Sequence, residues 1–303
     1  NFCIMNKLEQ MFEVLRSRPK KRLAAAYAND DHTICAVSAA IDNGLIEGIL
    51  CGDKDVIAKV CEAEGIDINK FTIVHEPDEV KAATKACDLI NAGEADIMMK
   101  GLLSTDKYMR AILNKERGLC PPNATLAHVC AIENPNYHKL LIASDCAIIP
   151  APDFKQKQTL LKYLVATANA LDIKNPKLAV ITATEQMLAG MPACVDAALI
   201  AKMAERGQIK GCIVDGPISL DLAIDAEAVA IKGFKSPVAG DADCLLFPCI
   251  EAANVFYKCN SKFNHAEVAA VVMGAKVPCV LSSRGDTSQT KLYSIALAAL
   301  LAK

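Results

Sequence analysis

Residues 46–76 read IEGILCGDKDVIAKVCEAEGIDINKFTIVHE. An apolar run, IEGILCG (46–52), leads into the helical pattern DVIAKVCEAEG, and a second apolar run, FTIVHE (71–76), follows. Two short buried strands joined by a helix form a βαβ unit, and such units build a parallel sheet. The same rhythm extends in both directions. LAAAYA (23–28) precedes the helical TICAVSAAIDNGL, ADIMMKG (95–101) precedes STDKYMRAILNKE, and DEVKAATKACDLINAG lies between the strands at 71–76 and 95–101.

The alternation breaks at Pro121 and Pro122. The next segment, PPNATLAHVCAIENPNYHKLLIASD (121–145), reads as two strands joined by the turn-rich ENPNYH. So short a link makes them antiparallel. The pattern then resumes with a helix at 153–171, a strand at 177–183, a helix at 193–206 and strands at 211–217 and 242–248. Helices at 250–258 and 265–274, a strand at 278–282 and a last helix from about 288 complete it. AGEADIMMKG (92–101) and AGDADCLLFP (239–248) share AGxAD before a strand, which reads as one helix-exit chemistry used twice.

Composition bounds the function. The 303 residues carry a formal net charge of −2 and are 52% hydrophobic. A near-neutral chain offers no field for nucleic acid or an anionic membrane. No apolar run reaches the roughly 18–20 residues of a membrane span. NFCIMNKLEQ has no apolar run behind a basic start, so no signal peptide is expected, and the fold reading begins at Met5. Fourteen cysteines without a CxxC pair fit free thiols in a reducing cytoplasm rather than a disulfide framework or a zinc site.

Ligands of open parallel sheets bind beyond the C-terminal ends of the strands. Four strand ends carry polar groups. Lys100-Gly101 stands before Ser104-Thr105, where a lysine and a capped helix start offer an anion site. Asp145 ends one strand, Asp215-Gly216-Pro217 ends another, and Ser283-Arg284 ends the last. In SSRGDTSQTKLYS, Arg284 can grip a phosphate with two parallel N–H bonds, and Ser283 can donate to an oxyanion or thiolate. Gly285 permits close backbone approach, while Asp286, Thr287 and Ser288 can cap the helix that follows. Asp221 and Asp225 are the one carboxylate pair that could ligate Mg²⁺, and helix capping is the simpler reading. His128 reads as a structural histidine with its hydrogen bonds met.

Several of these segments, taken in order, resemble the phosphate acetyltransferase and phosphate butyryltransferase family. They are ADIMMKGLLST (95–105), KLLIASDCAIIPAP (139–152), residues 191–224 with IKGCIVDGPISLDLAI, AGDADCLLFPCIEAANVFYK (239–258) and VPCVLSSRGDTSQTKLYSIALA (277–298). VDGPISLD is closer to the butyryl branch. The resemblance implies two α/β domains with mostly parallel sheets and an interdomain cleft, as in isocitrate and isopropylmalate dehydrogenases. Domain I would take residues 5–122 plus about 284–303, and domain II residues 123–283. The implied reaction converts a short-chain acyl-CoA and phosphate to acyl phosphate and CoA without a cofactor or metal, in a homodimer or higher homo-oligomer. By resemblance, Arg284 holds phosphate and Ser283 donates to the leaving thiolate. The strand-end residues Lys100, Gly101, Ser104, Thr105, Asp145, Gly216 and Pro217 are then the candidates for substrate and phosphate contact, and the resemblance makes Asn254 and Lys258 candidates for CoA binding. The acetyl branch carries a carboxylate, a proposed base, about where Thr290 stands here, and Asp286 is the nearest substitute. Three other readings follow from the same residues: an acetyl-specific enzyme, a metal-dependent dehydrogenase of the same fold, and a CoA-binding protein without turnover.

Overall fold

A computed structural model describes residues 4–281 and 285–303. In chain order the elements begin with α1 (Gln10–Arg16), β1 (Lys21–Ala26), α2 (Asp31–Asp42), β2 (Ile46–Gly52), α3 (Lys54–Glu64), β3 (Phe71–His75), α4 (Glu79–Asn91), β4 (Ile97–Lys100) and α5 (Thr105–Leu113). They continue with β5 (Ala127–Glu133), β6 (Leu141–Ser144), α6 (Phe154–Ala170), β7 (Lys177–Ile181), α7 (Pro192–Glu205), β8 (Ile213–Ile218), α8 (Leu220–Ile224), α9 (Ala226–Lys232) and β9 (Cys244–Leu246). The last are α10 (Ile250–Lys262), β10 (Glu267–Met273), β11 (Cys279–Val280) and α11 (Ser288–Leu301).

The chain forms two compact units. One, here the N-terminal unit, comprises Glu9–Leu126 and Ala269–Lys303; the other, the central unit, comprises Asn1–Leu8 and Ala127–Val268. Residues 269–281 therefore belong with the N-terminal unit, whereas the sequence reading carries them in domain II. The reason is β11, which pairs parallel with β4 (Cys279↔Met98, Val280↔Met99). Residues 5–8 go the other way: Leu8 N–H donates to Glu133 at 2.8 Å and Met5 N–H to Leu171 O at 3.4 Å, both in the central unit.

Strands of the N-terminal unit run in the order β3-β2-β1-β4-β11-β10. β1 pairs parallel with β2 and β4, β2 with β3, and only β10 runs antiparallel, against β11. After β1 the chain moves one way to β2 and β3, then returns to place β4 on β1's other side. The β1/β4 boundary is thus a topological switch point, where the crossovers diverge and leave an opening above the strand ends. Each parallel strand leads to a helix capped by its own side chain: Asp30, Asp53, Asp78, Ser104 and Thr287 accept from the first-turn amides of α2, α3, α4, α5 and α11.

Strands of the central unit run β5-β6-β9-β7-β8, all parallel except β5 against β6. The repeated AGxAD has one structural meaning in both units. Asp96 accepts from Arg22 N–H at 2.8 Å while its own N–H donates to Arg22 O at 2.8 Å. Asp243 does the same with Lys177, again at 2.8 Å each way. In each case the aspartate before a strand locks the start of its parallel neighbour.

One element is of a different type from the sequence reading. Residues 265–274 carry the alanines and apolar run of a helix, yet Glu267–Met273 is strand β10. Its interior residues Val268 to Val272 are all buried, with no polar face for a surface helix to present. A short apolar run does not separate a buried strand from a buried helix, and here the β-branched Val268, Val271 and Val272 fit the strand.

Tyr108 on α5 is fully buried, and its hydroxyl meets Met98 O at 3.3 Å and Val280 O at 3.2 Å, across the β4/β11 seam. Tyr108→Phe removes that donor while keeping the ring. It should lower unfolding free energy by about 1 kcal/mol in urea titration. An unchanged midpoint would mean the hydroxyl contributes nothing to holding β11 in place.

Candidate functional site

The candidate residues fall into two groups, one in each unit. In the N-terminal unit the ends of β1, β4 and β11 stand side by side, because β4 is registered to β1 (Ala26↔Lys100) and β11 to β4. Lys100 is half-buried, and its ammonium donates to Gly101 O at 3.2 Å. Gly101 lies against the loop leaving β1: its N–H donates to Ala26 O at 2.9 Å, and Leu102 N–H donates to Tyr27 O at 2.8 Å. A Cβ on Gly101 would fall 2.2 Å from Tyr27 O and 2.6 Å from Ala26 O, so only glycine fits. Ser104 caps α5, accepting from Lys107 N–H at 3.3 Å, and Thr105 opens the helix exposed to solvent. The arrangement sets a lysine and the amide end of a capped helix at one rim, which suits an anion.

Ser283 and Arg284, which carry most of the chemistry in the sequence reading, lie outside the described residues. The described chain ends at Leu281, beside the end of β4, and resumes at Gly285. Asp286 is half-buried, directly before the cap of α11. That cap is Thr287, whose Oγ1 accepts from Thr290 N–H at 3.0 Å and also lies 3.0 Å from the Thr290 hydroxyl. Thr290 is thus engaged at the helix start, and Asp286 is not the cap.

The central unit holds the remaining candidates. Asp145 follows β6, is 2% exposed, and accepts from the amides of Ala147 (2.9 Å), Ile148 (2.9 Å) and Ile149 (3.2 Å). Burial pushes its carboxyl pKa up against the downward pull of those amides. It ties down its own loop. Gly216 and Pro217 sit inside β8, which runs on to Ile218, and both are buried. A Cβ on Gly216 would lie 2.8 Å from Val180 Cβ. Gly216 lines a cavity of about 610 Å³ along α7 and β8, with Lys202, Glu205 and Asp215. Asn254 and Lys258 stand one turn apart on α10. Asn254 donates to Cys146 O at 3.0 Å, and the exposed Lys258 ammonium sits 5.1 Å from the Tyr257 ring centroid.

Asp221 and Asp225 are engaged locally. Asp221 accepts from Ser219 at 2.6 Å and Lys232 at 2.8 Å, and hydrogen bonding to Lys232 and then Ser219 holds its carboxyl pKa down to about 2. Asp225 caps α9 through the amides of Glu227 and Ala228. No three His, Cys, Asp or Glu side chains converge as a metal site among the described residues.

His128 differs from the sequence reading. It is 6% exposed at the start of β5, and its Nδ1 is buried without a hydrogen-bond partner. Burial, then the nearby Lys258 charge, holds its pKa down to about 4, so the ring is neutral at pH 7. Its ring meets Tyr257 edge-on at 6.0 Å. Period and composition mark a histidine on a buried strand; they do not say whether a partner waits for each nitrogen.

With this geometry in view, comparison with known proteins is direct. The family profile described as "Phosphate acetyl/butaryl transferase" matches residues 76–299. The chain belongs to the phosphate acetyl/butyryl transferase family. It is 41% identical over 299 residues to a phosphate butyryltransferase of Clostridium acetobutylicum, covering 99% of each chain. It is equally 41% identical over 295 residues to a phosphate acetyltransferase of Thermotoga maritima, covering 97% of this chain and 99% of that one. Among solved structures, a branched-chain phosphotransacylase from Enterococcus faecalis V583 superposes with a TM-score of 0.81 at 29% identity, covering 93% of this chain and 98% of that chain. The family match spans both groups of candidate residues, from Lys100 to Lys258 and on to Asp286.

Gly101→Ala tests the close approach of the β1 and β4 loops. The new methyl meets backbone carbonyls rather than a movable side chain. Unfolding free energy should fall by roughly 1–3 kcal/mol in chemical denaturation. Wild-type stability would show that the two loops separate freely.

Proposed function

We propose that this chain transfers a short acyl group between CoA and inorganic phosphate, with butyryl-CoA or a near homologue as thioester. The observation that carries the reading is the full-length 41% identity to a phosphate butyryltransferase, joined to a strand-end rim suited to an anion. A phosphate oxygen attacks the thioester carbonyl carbon. The C–O bond forms, the C–S bond breaks, and the sulfur leaves with the bonding electron pair. With HPO₄²⁻ as nucleophile, its one proton passes to the departing thiolate. The products are acyl phosphate dianion and CoA thiol, and the step balances without a separate base.

In this reading the protein contributes position and charge. Arg284 grips phosphate, Ser283 donates to the departing sulfur, and Lys100 and the α5 start add positive potential. Asn254 and Lys258 bind CoA. Asp286 stands between Arg284 and the cap of α11 in sequence, and its role is to orient the arginine rather than to abstract a proton. No metal or cofactor takes part. The enzyme works in the cytoplasm as a homo-oligomer, a reading supported by the exposed Val195 and Leu199 on one face of α7.

A second reading, acetyl transfer, is favoured by the equal identity to a phosphate acetyltransferase. Thiol release followed across acetyl-, propionyl-, butyryl- and valeryl-CoA separates the two. Phosphate-dependent release should peak at butyryl-CoA, whereas a peak at acetyl-CoA selects the second reading and no release with any thioester sinks both.

Arg284→Ala should reduce phosphate-dependent thiol release by on the order of 10²–10³ while circular dichroism stays unchanged. A folded variant keeping more than half the activity would remove Arg284 from the reacting centre. Turnover should also survive dialysis against EDTA. Loss restored by Mg²⁺ would overturn the metal-free mechanism.

A further inference from the structure

We propose that His128 is a binding residue for the amide-bearing arm of CoA, working beside Asn254 and Lys258 on α10. This rests on the acyl-CoA reading above. Three observations carry it.

The first is place. β5 runs antiparallel to β6 with Val129 opposite Ser144, so His128 stands opposite Asp145 at the C-terminal end of β6. That is the edge where the central unit's parallel strands end, and where ligands of such sheets bind. Tyr257, Lys258 and Asn254 share one face of α10 by their spacing, and Tyr257 brings that face to the imidazole.

The second is the unmet hydrogen bond. A buried polar atom without a partner costs about 1–3 kcal/mol. Nothing in the strand requires it. The fold uses the His128 backbone, whose carbonyl accepts from the Ser144 hydroxyl at 3.0 Å, and an apolar ring would supply that equally well. The residue is 6% exposed, and a half-turn about Cβ–Cγ carries Nδ1 to the opposite edge of the ring. A ligand that supplies the missing partner recovers the cost as affinity.

The third is charge. Burial and Lys258 keep the imidazole neutral, so it cannot serve as counter-charge to a phosphate. A neutral ring pairs with a neutral polar group. CoA carries both kinds: phosphates at its nucleotide end, which suit Lys258, and two amides in the arm that leads to the thioester, which suit His128.

Binding, rather than turnover, gives the test. Affinities for CoA and for adenosine 3′,5′-bisphosphate, which lacks the arm, are measured by calorimetry on wild type, His128→Phe and His128→Asn, with melting temperature alongside. In His128→Phe, CoA affinity should fall roughly tenfold to hundredfold, while bisphosphate affinity stays within about twofold. The melting temperature should hold or rise, because the unmet polar atom is gone. His128→Asn, which keeps a polar group at the same distance from the backbone, should recover part of the CoA affinity. In kinetics the KM for butyryl-CoA should rise with no change in the KM for phosphate. CoA affinity unchanged in a folded Phe variant would overturn the proposal, as would an equal loss for both ligands, which marks a distorted fold. Should His128→Phe not fold, the Asn variant decides by the same comparison: a loss confined to CoA supports the proposal and no loss overturns it. Wild-type protein that binds CoA but never releases thiol would defeat the acyl-transfer reading and leave the His128 comparison intact.

Discussion

The parallel register of β11 against β4 is the contact on which the N-terminal unit depends. It joins parts of the chain as far apart as Tyr108 and Val280, 172 positions. Closing so long a loop costs entropy that only a dense set of contacts offsets. The backbone ladder, the Tyr108 hydroxyl and the fully buried Met98 and Met99 supply it. Once β11 is placed, α11 follows, buried along most of its length, with Tyr293 against Phe12 of α1 at 5.7 Å. The same register sets the end of β11 beside the end of β4, where Lys100 stands. Fold and chemistry share one constraint.

Among the described residues, polar groups drawn into the fold divide into those that the fold uses and one, His128 Nδ1, that it leaves without a partner. Asp96, Asp243 and Asp145 each satisfy backbone amides that would otherwise lie unpaired at strand starts or in a loop. Their carboxylates are structural, although Asp145 stands at a strand end where substrate contact is natural. His128 is buried like Asp145 and Asp243, without the compensation. A ring held neutral, with one nitrogen unmet, is costly as structure and useful as recognition.

The proposed chemistry asks little of acid–base groups. Phosphate dianion brings both the nucleophile and the proton that the thiolate needs. This agrees with the start of α11, where Thr287 and Thr290 engage each other as a cap and a threonine stands in place of a carboxylate at the latter position. What such a reaction does need is an anion held still near a polarised carbonyl, and a capped helix start beside a lysine, as at Lys100 and α5, suits an anion.

The sequence by itself determined the α/β class, nearly every strand and helix, the antiparallel pair after Pro121-Pro122 and the family. Each rests on local information: hydrophobic period, turn residues, capping aspartates and ordered motifs. The paired AGxAD segments were legible as a repeat, but their shared role, each aspartate locking the start of a parallel neighbour, needed the strand order. Residues 265–274 could not be assigned from their alanine-rich run, because burial on both sides, set by neighbours distant in sequence, made them a strand. The return of 269–281 to the N-terminal unit was decided by the pairing of β11 with β4. Gly216 and Pro217 read as a strand end and proved to be strand interior, since a bulge carries β8 on to Ile218. His128 shows the limit most plainly. A sequence states that a polar group is present, but whether it has a partner depends on three-dimensional neighbours, and only tertiary structure decides that.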